Sequence, residues 1–162
     1  MSRYETKFLN HASFCFESKD EIVLVDPWFF GKVFDNSWSL LRDTDTTKID
    51  IAKVTDIFIT HEHPDHLHWA TLKYISENCP SQITIHITAR ENKNVRDNML
   101  KLGFRVSEII PFSRRKLNED FYYTQFPSNH DSAYVFEVDG VVHFNQNDCY
   151  LNDYECSQIK IL

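Results

Sequence analysis

A short apolar strand that runs directly into a dense group of metal-binding side chains constrains this chain more than any other feature. Residues 56–60 (DIFIT) have the β-branched and aromatic composition of a buried strand. Residues 61–66 (HEHPDH) follow at once, and three of them are histidine and one is aspartate. Imidazole and carboxylate ligands together suit zinc, iron or manganese better than calcium. We therefore expect a transition-metal site at the end of this strand.

The turn after the strand can bring these side chains together. Alternate residues of a tight turn converge, so His61 and His63 can hold one ion. A helix expected over residues 64–77, which begins with proline, turns Asp65 and His66 toward a second ion. The alternative is a polar loop that happens to be rich in histidine. Such a loop does not explain why a buried strand delivers the cluster to one edge of a sheet.

Composition places this cluster in a globular, acidic protein. The 162 residues suffice for one domain, and 42% of them are apolar and 25% charged. With 17 basic and 24 acidic residues the net charge is −7, so we expect no nucleic-acid partner. The 3 glycines argue against a phosphate-binding glycine loop, and no apolar run reaches the roughly 20 residues of a membrane span. Four scattered cysteines and an N-terminus unlike a signal peptide predict reduced thiols and a cytoplasmic location.

Strand and helix signals predict one α/β (α+β) domain over residues 1–162. The expected strands are residues 7–10, 13–17, 21–25, 56–60, 83–88, 106–110, 121–126, 133–138 and 141–145. The expected helices are residues 64–77, residues 91–102 and a short helix near residues 37–42. The second helix ends where Gly103 suits a left-handed cap, and Asp139-Gly140 predicts a two-residue hairpin turn. Residues 28–53 are otherwise expected to form a long loop.

These residues also follow the pattern of a known superfamily. The HxHxDH segment at residues 61–66, Asp26 after an earlier strand, an isolated His130 and the later Asp148 resemble the metallo-β-lactamase fold superfamily in identity, order and spacing. The Asn-His-Ala-Ser segment at residues 10–13 is most similar to one branch of that superfamily. This branch contains the metallohydrolase-like domain of CMP-N-acetylneuraminate hydroxylases.

The resemblance covers residues 7–151 and implies a fold and a set of ligands. The implied fold is an αββα sandwich, of which this chain holds the N-terminal part. The implied ligands are His61, His63 and His130 for a first ion, Asp65 and His66 for a second ion, and Asp148 as a bridge between the two. Asp65 and Asp148 are also the implied catalytic groups. Asp26 and His11 are implied to lie behind the ligands, where Asp26 accepts a hydrogen bond from a ligating histidine.

The sequence departs from the superfamily pattern after Asp148. The pattern has a further histidine for the second ion well downstream, whereas the fourteen residues that follow Asp148 here contain none. A partial sandwich would leave an apolar sheet face without cover. We therefore expect one of three explanations. The chain is a fragment of a longer protein, or a partner completes the fold (a second copy in a homo-oligomer or another chain), or the second ion is weak or missing.

Three functions fit this pattern. The sequence favours a metal-dependent hydrolase that directs a metal-bound hydroxide at an ester, phosphodiester or lactone-type small molecule. It would use one or two divalent ions, with zinc expected and iron or manganese as alternatives. The second function is an iron-dependent oxygenase component that acts on a CMP-sialic-acid-like nucleotide sugar with a separate electron donor. The third is a non-catalytic binding module built on a partial fold.

Overall fold

Two β-sheets packed face to face form the body of the protein, with helices outside the larger sheet. The computed structural model describes residues 3–89 and 93–159. The strands, in chain order, are β1 (Glu5–Asn10), β2 (Ser13–Glu17), β3 (Ile22–Val25), β4 (Lys32–Val33), β5 (Trp38–Ser39), β6 (Val54–Phe58), β7 (Thr84–Thr88), β8 (Arg105–Ile109), β9 (Arg115–Asn118), β10 (Phe121–Ser128), β11 (Asp131–Val138) and β12 (Val141–Asn145). The helices are α1 (Trp69–Asn78), α2 (Asn94–Lys101) and α3 (Asp153–Gln158), with 3-10 turns at Thr46–Lys48 and Ile51–Lys53.

The strand order brings three chain segments to one edge of the larger sheet. This sheet has the order β1-β2-β3-β6-β7-β8, with β1, β2 and β3 antiparallel and β3, β6, β7 and β8 parallel. The carboxyl ends of β3 and β6 therefore lie side by side. Because β2 runs antiparallel to β3, the β1–β2 turn lies at that same edge. The second sheet is antiparallel, with the order β12-β11-β10-β9.

Side chains along β3 alternate between two apolar layers. Ile22 and Leu24 belong to the layer that includes buried residues of α1 and α2. Val23 and Val25 belong to the layer between the two sheets, where Phe136 of β11 is fully buried. All four residues of β3 are buried, as expected for a strand that is covered on both faces. The sheet that carries the site is therefore anchored from both sides.

A later segment covers part of the outer face of the second sheet. Cys149 and Leu151 pack against Phe126 and its neighbours on that face. Val142 and Phe144 of the end strand β12 remain exposed. The apolar surface that was expected to be exposed is thus seen at the end strand β12, while the centre of this sheet face is packed.

The predicted strands are confirmed to within two residues at each end. The predicted helix cap is confirmed, since Gly103 has a φ of 89°. The predicted hairpin turn is also confirmed, since Asp139 and Gly140 have φ values of 51° and 76°, as a type I′ turn requires. The second helix is shorter than predicted, and residues 91–92 of that prediction lie outside the described residues. Strand β9 and helix α3 were not predicted.

Within the described part of the chain, no helix is long and apolar enough to cross a membrane, and no disulfide joins the cysteines.

The predicted short helix near residues 37–42 is wrong. Strand β5 lies there instead and pairs with β4 as a small hairpin. Phe34, Asp35 and Asn36 all have positive φ angles, so they reverse the chain and bring Trp38 onto the Phe34 ring, with the ring centroids 5.1 Å apart. The contact that forms this hairpin leaves no periodic signal in the sequence.

The first helix begins later than predicted, at Trp69 rather than Pro64. Two backbone N–H groups donate to the His63 carbonyl and close a separate turn. The His68 side chain then caps α1 by accepting the Thr71 N–H through Nδ1, at 3.2 Å. This turn before the helix leaves the metal-binding side chains at the sheet edge rather than on a helix face.

The layer between the sheets should dominate stability. We expect Phe136→Ala to lower the free energy of unfolding by about 3–5 kcal/mol, because it opens a cavity among packed aromatic rings. Phe144→Ala is the matched control and should lower it by roughly 1 kcal/mol or less, since this ring is 48% exposed. Urea denaturation followed by tryptophan fluorescence measures both. Equal losses in the two variants would contradict the layer assignment.

Candidate metal centre

The edge where β3 and β6 end holds a buried carboxylate, Asp26, that joins both strands. Its backbone N–H donates to the Phe58 carbonyl at 3.0 Å. The carboxylate accepts the backbone N–H of Thr60 at 2.8 Å and the Thr60 hydroxyl at 2.7 Å. Asp26 is fully buried and has a φ of 43°, a conformation that aspartate tolerates better than most residues. These bonds fix the start of the HEHPDH segment.

Asp26 also fixes the orientation of His66. His66 Nδ1 lies 3.0 Å from Asp26 Oδ2, so Nδ1 carries the proton and the Nε2 lone pair points into the cluster. Burial lowers the pKa of the His66 imidazole, but Asp26, Asp65 and Asp148 outweigh burial and raise that pKa above its ordinary value. The buried imidazole therefore lies in a negative field that favours a positive charge.

The HEHPDH segment brings its side chains together over short distances. His61 Nε2 lies 2.7 Å from His63 Nδ1, and Asp65 Oδ2 lies 3.4 Å from His66 Nε2. His61 Nδ1 lies 3.2 Å from an Asp131 carboxylate oxygen, which favours the tautomer with its proton on Nδ1. His61, Asp65 and His66 are buried, whereas His63 is exposed. The cluster thus has a buried base and an open side.

Two residues from the last third of the chain reach this cluster. Asp148 Oδ2 lies 3.5 Å from His66 Nε2, and the Asp148 side chain is 63% exposed. Asn147 Nδ2 donates to the Thr60 hydroxyl and lies 3.4 Å from Asp26 Oδ2. Sequence reasoning missed Asn147, although its position just before the predicted Asp148 was a signal. Asn147 links the late segment to the β3–β6 edge.

His130 is exposed in the turn between β10 and β11. Its neighbour Asp131, which sequence reasoning also missed, is the residue that approaches His61. Among the residues that the structure describes, ligand atoms gather within 4.8 Å of one another in two groups. These groups are His11, Asp65 and His66, and His61, His66 and Asp148. His63 and His130 belong to neither group, although His63 touches His61.

His11, predicted to lie behind the ligands, belongs to one of these groups. Its Nε2 lies 2.9 Å from Asp65 Oδ2, and its ring contacts Trp28 and Trp38 with centroid distances of 5.5 and 6.4 Å. Ser13 positions this turn, because its hydroxyl donates to the Asp26 carbonyl and accepts the Trp28 N–H. The same serine thus connects His11 to the segment that orients His66.

The residues present fit a divalent cation. Asp65 Oδ1 and His66 Nε2 are buried and have no hydrogen-bond partner, which is unfavourable for a polar atom. Both are ligand atoms, and a cation would satisfy both. His66 belongs to both groups, but Nε2 has a single lone pair and can bind one ion. Nitrogen and oxygen donors of this kind suit zinc, iron or manganese.

A groove of about 920 Å³ opens beside the cluster. His11, Trp28, Trp38, Arg42 and Thr44 are among the residues that line it. The Trp38 indole is 53% exposed and offers a flat apolar face against which a ring can stack. The groove therefore connects the candidate metal site to a surface that can hold an organic molecule.

Two facing sheets with a histidine and aspartate cluster at their common edge define the metallo-β-lactamase fold with a candidate metal centre. The chain belongs to the family described as the beta-lactamase superfamily domain, whose family model matches residues 5–155. The chain is 31% identical over 155 residues to a cytidine monophosphate-N-acetylneuraminic acid hydroxylase from Asterias rubens. That match covers 91% of this chain and 21% of the relative, so the chain spans about a fifth of the relative's length.

Solved structures share the fold. CmlA, a diiron beta-hydroxylase from Streptomyces venezuelae, superposes with a TM-score of 0.68 at 14% identity, over 90% of this chain and 29% of CmlA. A possible metal-dependent hydrolase from Veillonella parvula superposes with a TM-score of 0.67 at 15% identity, over 98% of this chain and 67% of that protein. At these identities the likeness establishes the fold, and the neighbours include both hydrolytic and oxidative proteins.

Asp26 should control metal affinity without touching the metal. We expect Asp26→Asn to weaken divalent metal binding roughly 10–100-fold, because the amide no longer holds the Nδ1 proton of His66 with a negative charge. Calorimetric zinc titration of the purified protein measures the change. Asp56→Asn is the matched control, since Asp56 holds a different histidine, His86, at 2.7 Å. Equal affinity in the Asp26→Asn variant and the unmodified chain would contradict this role.

Proposed function

We propose that this chain forms the metal-binding catalytic part of a metal-dependent hydrolase that acts on an ester, phosphodiester or lactone-type small molecule. The observation that carries this proposal is the pair of buried ligand atoms without hydrogen-bond partners, Asp65 Oδ1 and His66 Nε2, beside an aromatic groove. Hydrolysis consumes only water besides the substrate. The cluster and the groove together supply what such a reaction needs.

The ligand assignment follows the superfamily pattern. His61 and His63 hold one ion, Asp65 and His66 hold a second, and Asp148 bridges them. The approach of Asp148 to both His61 and His66, within 4.8 Å, supports the bridging role. The assignment of His130 to the first ion rests on the pattern, with its turn next to His61 as support.

A bound divalent cation acts as a Lewis acid and lowers the pKa of a water ligand toward neutrality. Asp26 keeps the His66 proton on Nδ1, so Nε2 stays available as a ligand atom. Asp148, at the open side of the cluster, orients the attacking water, and Asp65 accepts a proton from it. Asp65 Oδ2 lies near both His11 and His66, and Asp65 Oδ1 is buried without a hydrogen-bond partner. Trp38, which is 53% exposed, holds the apolar or ring portion of the substrate.

An iron-dependent oxygenase component is the second candidate function. The relative from Asterias rubens that supports it is named for hydroxylation of CMP-N-acetylneuraminic acid and matches 91% of this chain. Under this proposal the same ligands hold iron, a CMP-sialic-acid-like nucleotide sugar occupies the groove, and a separate protein supplies electrons. The ligand set accepts either metal, because imidazole and carboxylate suit both zinc and iron.

Removing the two histidines of the first ion tests the metal centre. We expect the double variant His61→Ala/His63→Ala to lose tightly bound metal and to lose hydrolysis of aryl ester, aryl phosphodiester and lactone test substrates, because both imidazole ligands are gone. Elemental analysis of the purified chain measures the metal. His143→Ala is the control, since this histidine packs on Phe16 between the sheets. Retention of metal and activity in the double variant would refute the assignment.

Metal identity separates the two candidate functions. Bound zinc or manganese with turnover of a test substrate supports the hydrolase. Bound iron, with consumption of oxygen when a reductant is added, supports the oxygenase component. A well-folded chain that binds metal far below stoichiometry would refute both and favour a non-catalytic binding module.

A further inference from the structure

We propose that His11, in the turn between β1 and β2, is a direct ligand of the second cation, together with Asp65 and His66. This assignment rests on the proposed metal centre and extends it. The ligands proposed for that cation so far are Asp65 and His66, with Asp148 as the bridge, and His11 adds an imidazole to them from the β1–β2 turn.

The distances among the three side chains match a shared cation. His11 Nε2 lies 2.9 Å from Asp65 Oδ2, and His66 Nε2 lies 3.4 Å from the same oxygen. Two ligand atoms that each lie about 2.1 Å from one ion are about 3.0 Å apart at a right angle and about 3.4 Å apart at the tetrahedral angle. The ligand atoms of all three residues lie within 4.8 Å of one another. The geometry therefore needs little rearrangement to accept an ion.

The sheet holds His11 in this position. Asn10 pairs with Ser13 across the turn, and His11 itself has a φ of 41°. A β-carbon in the left-handed region is disfavoured, and such conformations persist where the surrounding structure enforces them. Here the surrounding contacts are the Ser13 bonds to the segment after β3 and the T-shaped contact of the His11 ring with Trp28. The ring is 34% exposed, so it also borders the groove.

An unsatisfied atom of His66 points to the same ion. His66 Nε2 is buried without a hydrogen-bond partner, and the contact between His11 and Asp65 Oδ2 leaves it so. A cation bound by His11 Nε2, Asp65 Oδ2 and His66 Nε2 would satisfy it. Three protein ligands leave a position for water or substrate, as catalytic sites require. That position would face the groove, because His11 lines both the cluster and the groove.

The competing role for His11 is that of a positioning residue that donates a hydrogen bond to Asp65. The two roles differ in whether the Nε2 atom of His11 carries a proton. A ligand must present a bare Nε2 to the ion, whereas a positioning residue carries a proton on Nε2. A probe that reports directly on coordination at position 11 therefore separates them.

Cobalt(II) binding to a His11→Cys variant provides that probe. We expect an intense thiolate-to-cobalt charge-transfer absorption that the unmodified chain lacks, because a thiolate at position 11 would replace the imidazole as ligand. The unmodified chain is a proper baseline, since no cysteine of the described residues belongs to either group of ligand atoms. A folded His11→Cys variant that binds cobalt without this absorption would overturn the proposal.

Two further variants test the number of zinc ions that the chain binds. His11→Asn tolerates the positive φ of the turn and should weaken binding of the second zinc ion roughly 100-fold, with the first ion retained. His11→Gln keeps a donor for Asp65, so it would restore second-ion binding if His11 only positioned that carboxylate. Zinc titration with elemental analysis measures both variants. Second-ion affinity that is unchanged in His11→Asn or restored in His11→Gln would also overturn the proposal.

These outcomes are distinct from failure of the metal centre itself. If the unmodified chain binds no zinc or cobalt, the proposed function fails and the role of His11 fails with it. If the unmodified chain binds metal and the His11 variants bind it equally well, the metal centre stands and His11 is not a ligand. A chain that binds a single ion, with an affinity that His11→Asn leaves unchanged, likewise rules out His11 as a ligand.

Discussion

The bonds made by one buried carboxylate, Asp26, hold the functional edge of this protein together. An unpaired charge in the interior is strongly unfavourable, so Asp26 is stable there only because Thr60 and His66 bond to it. Those partners come from the end of β6 and from the turn beyond it. The same interaction therefore joins two parallel strands and sets the tautomer of His66, a proposed metal ligand. At this edge, folding and site formation depend on one group.

The electrostatic balance around His66 explains why the cluster needs a positive charge. Asp26, Asp65 and Asp148 all raise the pKa of His66 against the effect of burial. The chain as a whole carries a net charge of −7, so its overall charge does not offset these carboxylates. A divalent cation would neutralise them at the point where they converge. Protons would compete with that cation for the same ligand atoms, so we expect metal affinity to decrease as the pH decreases.

Local patterns in the sequence predicted most of the fold and the centre of the site. Short runs of β-branched and aromatic residues located the strands, and the HEHPDH segment located the cluster. Features that depend on distant pairing were not predicted. The approach of His11 to Asp65 joins residues 54 positions apart and follows from the register of β1, β2 and β3. Two local contacts were also not predicted, because they leave no periodic signal in the sequence. Trp38 packs on Phe34 in a hairpin where a helix was predicted, and the His68 cap starts α1 at Trp69 rather than at Pro64.

The position of His11 places a proposed ligand on the same sheet as the other residues of the cluster. A ligand on a late element depends on the packing of everything between it and the cluster. A ligand on the β1–β2 turn depends only on hydrogen-bonded neighbours in the sheet that already carries Asp26 and the HEHPDH segment. Loop closure over a shorter stretch of chain also loses less entropy. The sheet edge can therefore hold a complete set of three donors for the second ion from residues before β7.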